Sequence, residues 1–198
     1  MTVVRTAVPA DRSAVVRTVV TAFAQDPAWD FITAGDREHV APPFAEALFD
    51  SRVGSGTIWI ADNGASAALW ELRDGASAIH ADSVWTNYRS QVGEQAWACL
   101  CAYEDALANS EPERPYWYLG VLATDPARHG QGLASEVLAP ILAIADEAGL
   151  PCWLETSTLS NVRFYEHRGF IEMRECDIVD GPPTWWLGRP AVTTSTPS

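Results

Sequence analysis

The chain is 198 residues long and 47% hydrophobic, enough for one sizeable core and short for two, so a single domain over 1–190 followed by a disordered polar tail at 191–198 is expected. A formal net charge of −13 and a pI near 4.5 argue against nucleic-acid and anionic membrane partners and suit a cationic or amine partner, although solubility alone also explains such a charge. Cys99, Cys101, Cys152 and Cys176 show neither CxxC spacing nor a zinc-type histidine pattern, and no signal-like segment or apolar run of about 18 residues occurs, so free thiols, no metal and a soluble cytoplasmic chain are expected.

Taken in chain order, residues 2–8 read as a first strand. A helix follows from Pro9 through Ala24, with Val15, Val16, Val19, Val20 and Phe23 on one stripe. Residues 36–52 read as a second helix, and TIWIA and ASAALW, joined by Asp62, Asn63 and Gly64, as a hairpin. From Glu71 to Pro115 the pattern is weak apart from a helix between about Gln91 and Ala108. Residues 116–124 return to a strand ended by Asp125 and Pro126. Leu133, Val137, Leu138, Ile141, Ile144 and Ala145 then recur at helical spacing up to Gly149 and Pro151, with a bend expected at Pro140. CWLETS is a strand, Asn161 to His167 a short helix, and 170–179 and 184–188 supply the last strands.

Between the strand at 116–124 and its following helix lies RHGQGLAS, residues 128–135. Glycines spaced by one residue let a backbone turn tightly and present its N–H groups, and the start of a helix adds its own unpaired donors and dipole, so the turn suits a phosphate. A nucleoside-triphosphate loop requires Lys and Ser or Thr after the last glycine, where Leu133 and Ala134 stand. A dinucleotide fingerprint is only half present, since Ser135 follows where a third glycine belongs and the upstream chain is not doubly wound.

The whole neighbourhood, YLGVLATDPARHGQGLASEVL followed by LETSTLSNVRFYEHRGF, resembles the acyl-CoA-binding core of the GCN5-related N-acetyltransferase (GNAT) superfamily, and within it the branch that acetylates the aminonucleoside puromycin. The resemblance covers residues 3–190. It implies a mixed α/β (α+β) acyl-CoA N-acyltransferase fold, with a mostly antiparallel mixed sheet splayed between the strands at 116–124 and 152–157 and helices on its flanks. His129 stands where Gln or Arg is usual, and Ala134 where close relatives carry a third glycine. Neither change removes a backbone donor. His129 either adds partial positive charge beside the pyrophosphate or simply caps the turn.

The same resemblance implies acetyl-CoA as cofactor, with its pyrophosphate on the amides of Gly130, Gln131, Gly132, Leu133 and Ala134, beside His129 and Ser135. The pantetheine arm would pair with the backbone of Leu122, Ala123 and Thr124, and an N–H near Leu122 would polarise the thioester. Acetyl transfer to an amine requires an unprotonated amine and a proton for the leaving thiolate. Tyr165 matches the family's acid position, four residues after Asn161; the alternative is a core tyrosine beside Phe164 and Phe170. Asn161 would hold a pantetheine amide, cap its helix, or both.

Glu155 ends a strand and is read either as the base or as a hydrogen-bonded scaffold residue, with Tyr116, Glu71 and His80 as weaker candidates. Trp85, Tyr88 and Tyr116 are candidate acceptor contacts, able to stack on an aromatic amine, against the plainer reading of packing under a loop. Of Trp185 and Trp186, at most one faces inward. The expected partner is a small-molecule amine such as an aminonucleoside antibiotic, for a monomer or homodimer. A protein N-terminal or lysine acetyltransferase and a non-catalytic acyl-CoA sensor are the rivals.

Overall fold

The computed structural model describes residues 3–75 and 83–192. Among them, seven strands form one sheet: β1 (Val4–Thr6), β2 (Ile58–Ala61), β3 (Ser66–Arg73), β4 (Tyr116–Thr124), β5 (Cys152–Thr156), β6 (Glu172–Cys176) and β7 (Thr184–Arg189), in the order β1-β2-β3-β4-β5-β7-β6. Every neighbouring pair is antiparallel except β4 with β5. That parallel pair is joined by the crossover helix α6 (Leu133–Ala148), as a parallel connection requires. The sheet is thus mixed and mostly antiparallel, as expected.

Alternation along the strands feeds two cores. Tyr116 and Tyr118 of β4 join the cluster under α1 (Arg12–Ala22), α2 (Pro27–Ile32), α3 (Arg37–Val53), α4 (Ser83–Gln91) and α5 (Glu94–Asn109). Trp117 and Leu119 join the opposite cluster under α6 and α7 (Leu159–Glu166). Leu69 and Trp70 of β3 face Val121 and Leu119, leaving Gly120 unpaired as a bulge. The extra residue shifts the alternation, so that Val121 and Ala123 return to the first face and Leu122 to the second. The β4–β5 ladder is short, running from Trp117–Cys152 to Leu119–Leu154. Beyond it, Gly120–Thr124 has no partner on its β5 side, and the sheet opens into a cleft.

The helices differ in detail from the sequence pattern. A 3-10 turn at Pro9–Asp11 precedes α1, so the first helix is shorter than read. The helix α2 was not anticipated, although Asp26 followed by Pro27 is a start signal: the Asp26 carboxylate accepts from the N–H groups of Ala28 and Trp29 at 2.9 and 3.1 Å. α4 was likewise unread, because its turns mix Trp, Thr, Asn, Tyr and Arg without a clean apolar stripe. α6 buries Leu133, Val137, Leu138, Ile141 and Ala145 and runs unbroken through Pro140, but Ile144, read as part of the stripe, is exposed. The tail from residue 193 onward and His80 lie outside the described residues. No described helix is long and apolar enough to cross a membrane.

Trp153 of β5 shares a face with Glu155 and lies directly opposite Gly188 of β7. A Cβ at 188 would sit well inside contact distance of its ring. Gly188→Ala is therefore expected to cost about 2 kcal/mol of stability by overpacking. Urea unfolding checks this, and an unchanged midpoint would contradict it.

Candidate active site

The turn before α6 has the backbone its glycines suggest, with Gly130 at φ 77° and Gly132, the N-cap of α6, at φ 83°. Both lie in the left-handed region where a side chain is strained. The N–H groups of Gly130, Gln131, Gly132, Leu133 and Ala134 donate to no backbone or side-chain acceptor among the described residues. The next two, on Ser135 and Glu136, turn back to the Gly132 carbonyl. Five adjacent free donors at a helix start form a concavity for a diphosphate.

A cleft of about 610 Å³ opens from this turn, walled by Leu122, Thr124, His129, Leu133, Phe164 and Arg168, among others. Arg168 was not singled out from the sequence. Its guanidinium lies 3.5 Å above the Phe164 ring and bonds Ser135 Oγ, a positive charge held beside the turn. His129 Nε2 stands 3.2 Å from the Thr124 carbonyl oxygen, tying the turn to the end of β4. Gln131 accepts from Arg128 at 2.9 Å, and Arg128 pairs with Asp62. The Gln131 side chain thus braces the turn from outside, while Ala123 is buried under α1–α5 and leaves only its backbone for a ligand.

The cleft leads into a smaller chamber of about 90 Å³ between the sheet and α2, α3, α4 and α5. Phe23, Asp26, Leu122, Asn161 and Tyr165 line both spaces. Tyr165 therefore stands at the junction. Its ring packs edge-on against Phe164 and Phe170, 5.1 and 5.7 Å between centroids. Its hydroxyl has no hydrogen-bond partner among the described residues. The two readings of Tyr165 coexist: a packed ring with a free phenol. Burial raises that phenol above the ordinary tyrosine value. Asn161 Nδ2 reaches Thr156 Oγ1 at 3.5 Å, and the N-cap of α7 is Thr158, so Asn161 is not the cap.

Glu155 lies in the chamber wall. Its Oε1 accepts from Tyr118 Oη at 2.9 Å, and its Oε2 is buried without a partner. Burial pushes the carboxyl up to about 7, helped by the charge of Glu104 and opposed by the Tyr118 hydrogen bond and Arg73. Arg73 stacks over Tyr118, 3.8 Å from its centroid, and bonds Glu111 and Tyr116. Arg52 binds Glu71 at 3.0 Å and packs where Gly120 has no Cβ. Glu71 is thus an ion-pair partner rather than a chamber wall.

Of the three acceptor candidates, only Trp85 borders the chamber. Tyr88 packs behind it against Phe44 and Trp97. Tyr116 points its hydroxyl at Glu111, 2.6 Å away, and the β4 tyrosine that lines the chamber is Tyr118, two residues on along the same face. Trp186 is fully buried beside Tyr118, whereas Trp185 packs on the opposite cluster. Asp26, Tyr103, Glu104 and Arg73, which complete the chamber, come from segments whose facing the sequence pattern does not fix.

The cradle's role is open to direct measurement. A methyl at Gly132 meets no protein atom within 4 Å, so Gly132→Ala should keep the fold while straining the turn and crowding the N–H concavity. Coenzyme A affinity is expected to fall about tenfold or more by calorimetry; unchanged affinity would place the diphosphate elsewhere.

Comparison with known proteins agrees with this geometry. Residues 53–170 match the acetyltransferase (GNAT) family. An uncharacterized N-acetyltransferase of Schizosaccharomyces pombe is 40% identical over 55 residues, which is 28% of this chain and only 22% of that relative's length. The structure of a histone acetyltransferase HPA2 and related acetyltransferase from Corynebacterium glutamicum superposes with a TM-score of 0.68 at 22% identity, covering 98% of this chain and 99% of the other. Arylalkylamine N-acetyltransferase 2 from Aedes aegypti gives 0.67 at 15% identity, covering 96% and 98%. With a sheet that parts after Leu119 and Leu154, a glycine cradle at the start of α6 and a family match over more than half its length, the chain belongs to the acetyltransferase (GNAT) family.

Proposed function

We propose that the chain transfers the acetyl group of acetyl-CoA to a primary amine of a small molecule. The observation that carries this reading is the junction at Tyr165, where a diphosphate-suited cleft meets a chamber containing an unpartnered carboxylate oxygen of Glu155. The protein fits the cofactor: free amides from Gly130 to Ala134 and the Arg168 guanidinium suit the phosphates, and the unpaired edge at Leu122–Thr124 suits the amides of the pantetheine arm. Bound acetyl-CoA supplies the acetyl group as a thioester.

The chain's own residues do the rest. An ammonium entering the chamber meets Glu155, whose elevated pKa lets the carboxylate take the amine's proton near neutrality. The freed amine then attacks the thioester carbonyl, the Tyr165 hydroxyl donates its proton to the departing sulfur, and the proton lost from the attacking nitrogen as the amide forms returns to the Tyr165 oxygen. A thiol leaving beside the same apolar wall would be raised by burial as the phenol is, which would keep the exchange near balance. An N–H of the open β4 edge near Leu122 supports the carbonyl oxygen.

The aromatic walls, Phe23, Trp29, Phe44, Trp85, Tyr103 and Tyr118, favour an acceptor with an apolar or aryl body. The aminonucleoside puromycin is the narrowest form of this reading. A chamber this small, ringed by aromatic side chains, suits a small amine better than a protein N-terminus or lysine acceptor, which requires an open groove.

Two measurements test the chemistry. Purified protein given acetyl-CoA and a panel of alkyl, arylalkyl and aminonucleoside amines should release thiol, and Tyr165→Phe should lower kcat by about a hundredfold while leaving coenzyme A affinity intact. A sensor would show no turnover to lose. With amine saturating, kcat should rise with pH through about 7 and level above it, because only the deprotonated Glu155 accepts the proton. Glu155→Gln should remove that limb; an unchanged profile would assign the base elsewhere.

A further inference from the structure

The chamber carries more negative charge than a single ammonium neutralises. Three carboxylates line it, Asp26, Glu104 and Glu155, together with the guanidiniums of Arg52 and Arg73. Arg52 is paired with Glu71. Arg73 is paired with Glu111, which also holds Arg114. Arg37, beside Asp26, is paired with Asp30. Among the described residues, the connected group thus holds five carboxylates (Asp26, Glu71, Glu104, Glu111, Glu155) against three guanidiniums (Arg52, Arg73, Arg114). Two negative charges remain when all are ionised.

Four of those carboxylates have assigned partners. Asp26 caps α2, Glu71 holds Arg52, Glu111 holds Arg73, Arg114 and Tyr116, and Glu155 accepts from Tyr118. Glu104, presented by α5, has neither a hydrogen bond nor an ion pair within 4.0 Å among the described residues, although it lines the cavity. It is close enough to Glu155 for its charge to raise that carboxyl, and its own carboxyl is raised by burial against the opposing charges of Arg73 and Arg52. Aromatic rings surround the same space, and their faces attract cations.

Resting on the acetyl-transfer reading, we infer that the acceptor is a compact diamine, an amine whose second cationic group pairs with Glu104 while the reacting one meets Glu155. A monocation leaves this group with one carboxylate charge in excess, which is costly in a recess walled by aromatic rings. A dication restores neutrality. Both charges lie within one small chamber, so the two cationic groups are separated by a short or ring-sized spacer. Singly charged amines, puromycin among them, rank below such an acceptor. Glu104 is then a specificity determinant that takes no part in proton transfer.

The test compares para-xylylenediamine with para-methylbenzylamine, which share a ring and differ by one ammonium group. The diamine is expected to show a kcat/KM at least about tenfold higher, and Glu104→Gln should bring the ratio close to one. An equal or better rate with the monoamine overturns the inference and leaves acetyl transfer standing. A preference that survives in Glu104→Gln overturns the assignment of Glu104. If neither amine releases thiol, acetyl transfer to this class fails. The charge inference is then decided by calorimetry on the protein saturated with coenzyme A, where diamine binding about tenfold tighter supports it and equal binding overturns it.

Discussion

The point on which the molecule turns is the end of the β4–β5 ladder at Leu119 and Leu154. Up to that pair, parallel hydrogen bonds hold the two strands together beneath α6. Past it, the Gly120 bulge shifts the facing of β4, and the strands part. An edge left unpaired inside a sheet is costly unless another backbone-like group meets it. The cleft is therefore a built-in vacancy for amide groups, and its mouth is where α6 presents five more unpaired donors. In the proposed reading, both halves of the cofactor site follow from one interruption of strand pairing.

That interruption also sets the electrostatics. Because Glu155 lies on β5 just past its last pair with β4, where the sheet opens, its carboxylate is adjacent to space, with one oxygen held by Tyr118 and the other buried without a partner among the described residues. Arg73 steadies Tyr118 by stacking on its ring, and Glu111 steadies Arg73. Tyr165 reaches the same junction from α7, held by Phe164 and Phe170. In the proposed reaction the base and the acid thus stand on different elements and approach one opening, with the acceptor chamber on one side and the cofactor cleft on the other.

The turn proposed to hold the cofactor was legible in the sequence because a turn that presents backbone amides leaves its mark as glycines and a helix start. Gly130 and Gly132 at positive φ are that mark, and the helical stripe from Leu133 onward fixes the rest. The acceptor half was much less legible. Its walls come from residues on five helices and three strands, and its facing depends on a bulge at Gly120 that no periodicity announces. The facing of Tyr116 was not fixed by the pattern, and its hydroxyl bonds Glu111, while Tyr88 lies one layer behind Trp85. Asp26 was within reach through its Asp-Pro pattern, and Glu104 was not, since a glutamate on an amphipathic helix reads as solvated.

Amide hydrogen exchange with and without coenzyme A tests most directly whether the parted sheet is the cofactor site. Protection is expected to rise together at Gly130–Ala134, whose N–H groups have no acceptor among the described residues, and at Leu122–Thr124, which pairs with β3 but has no strand on its β5 side. Protection confined to other segments, or none at either of these, would contradict the assignment of the cleft.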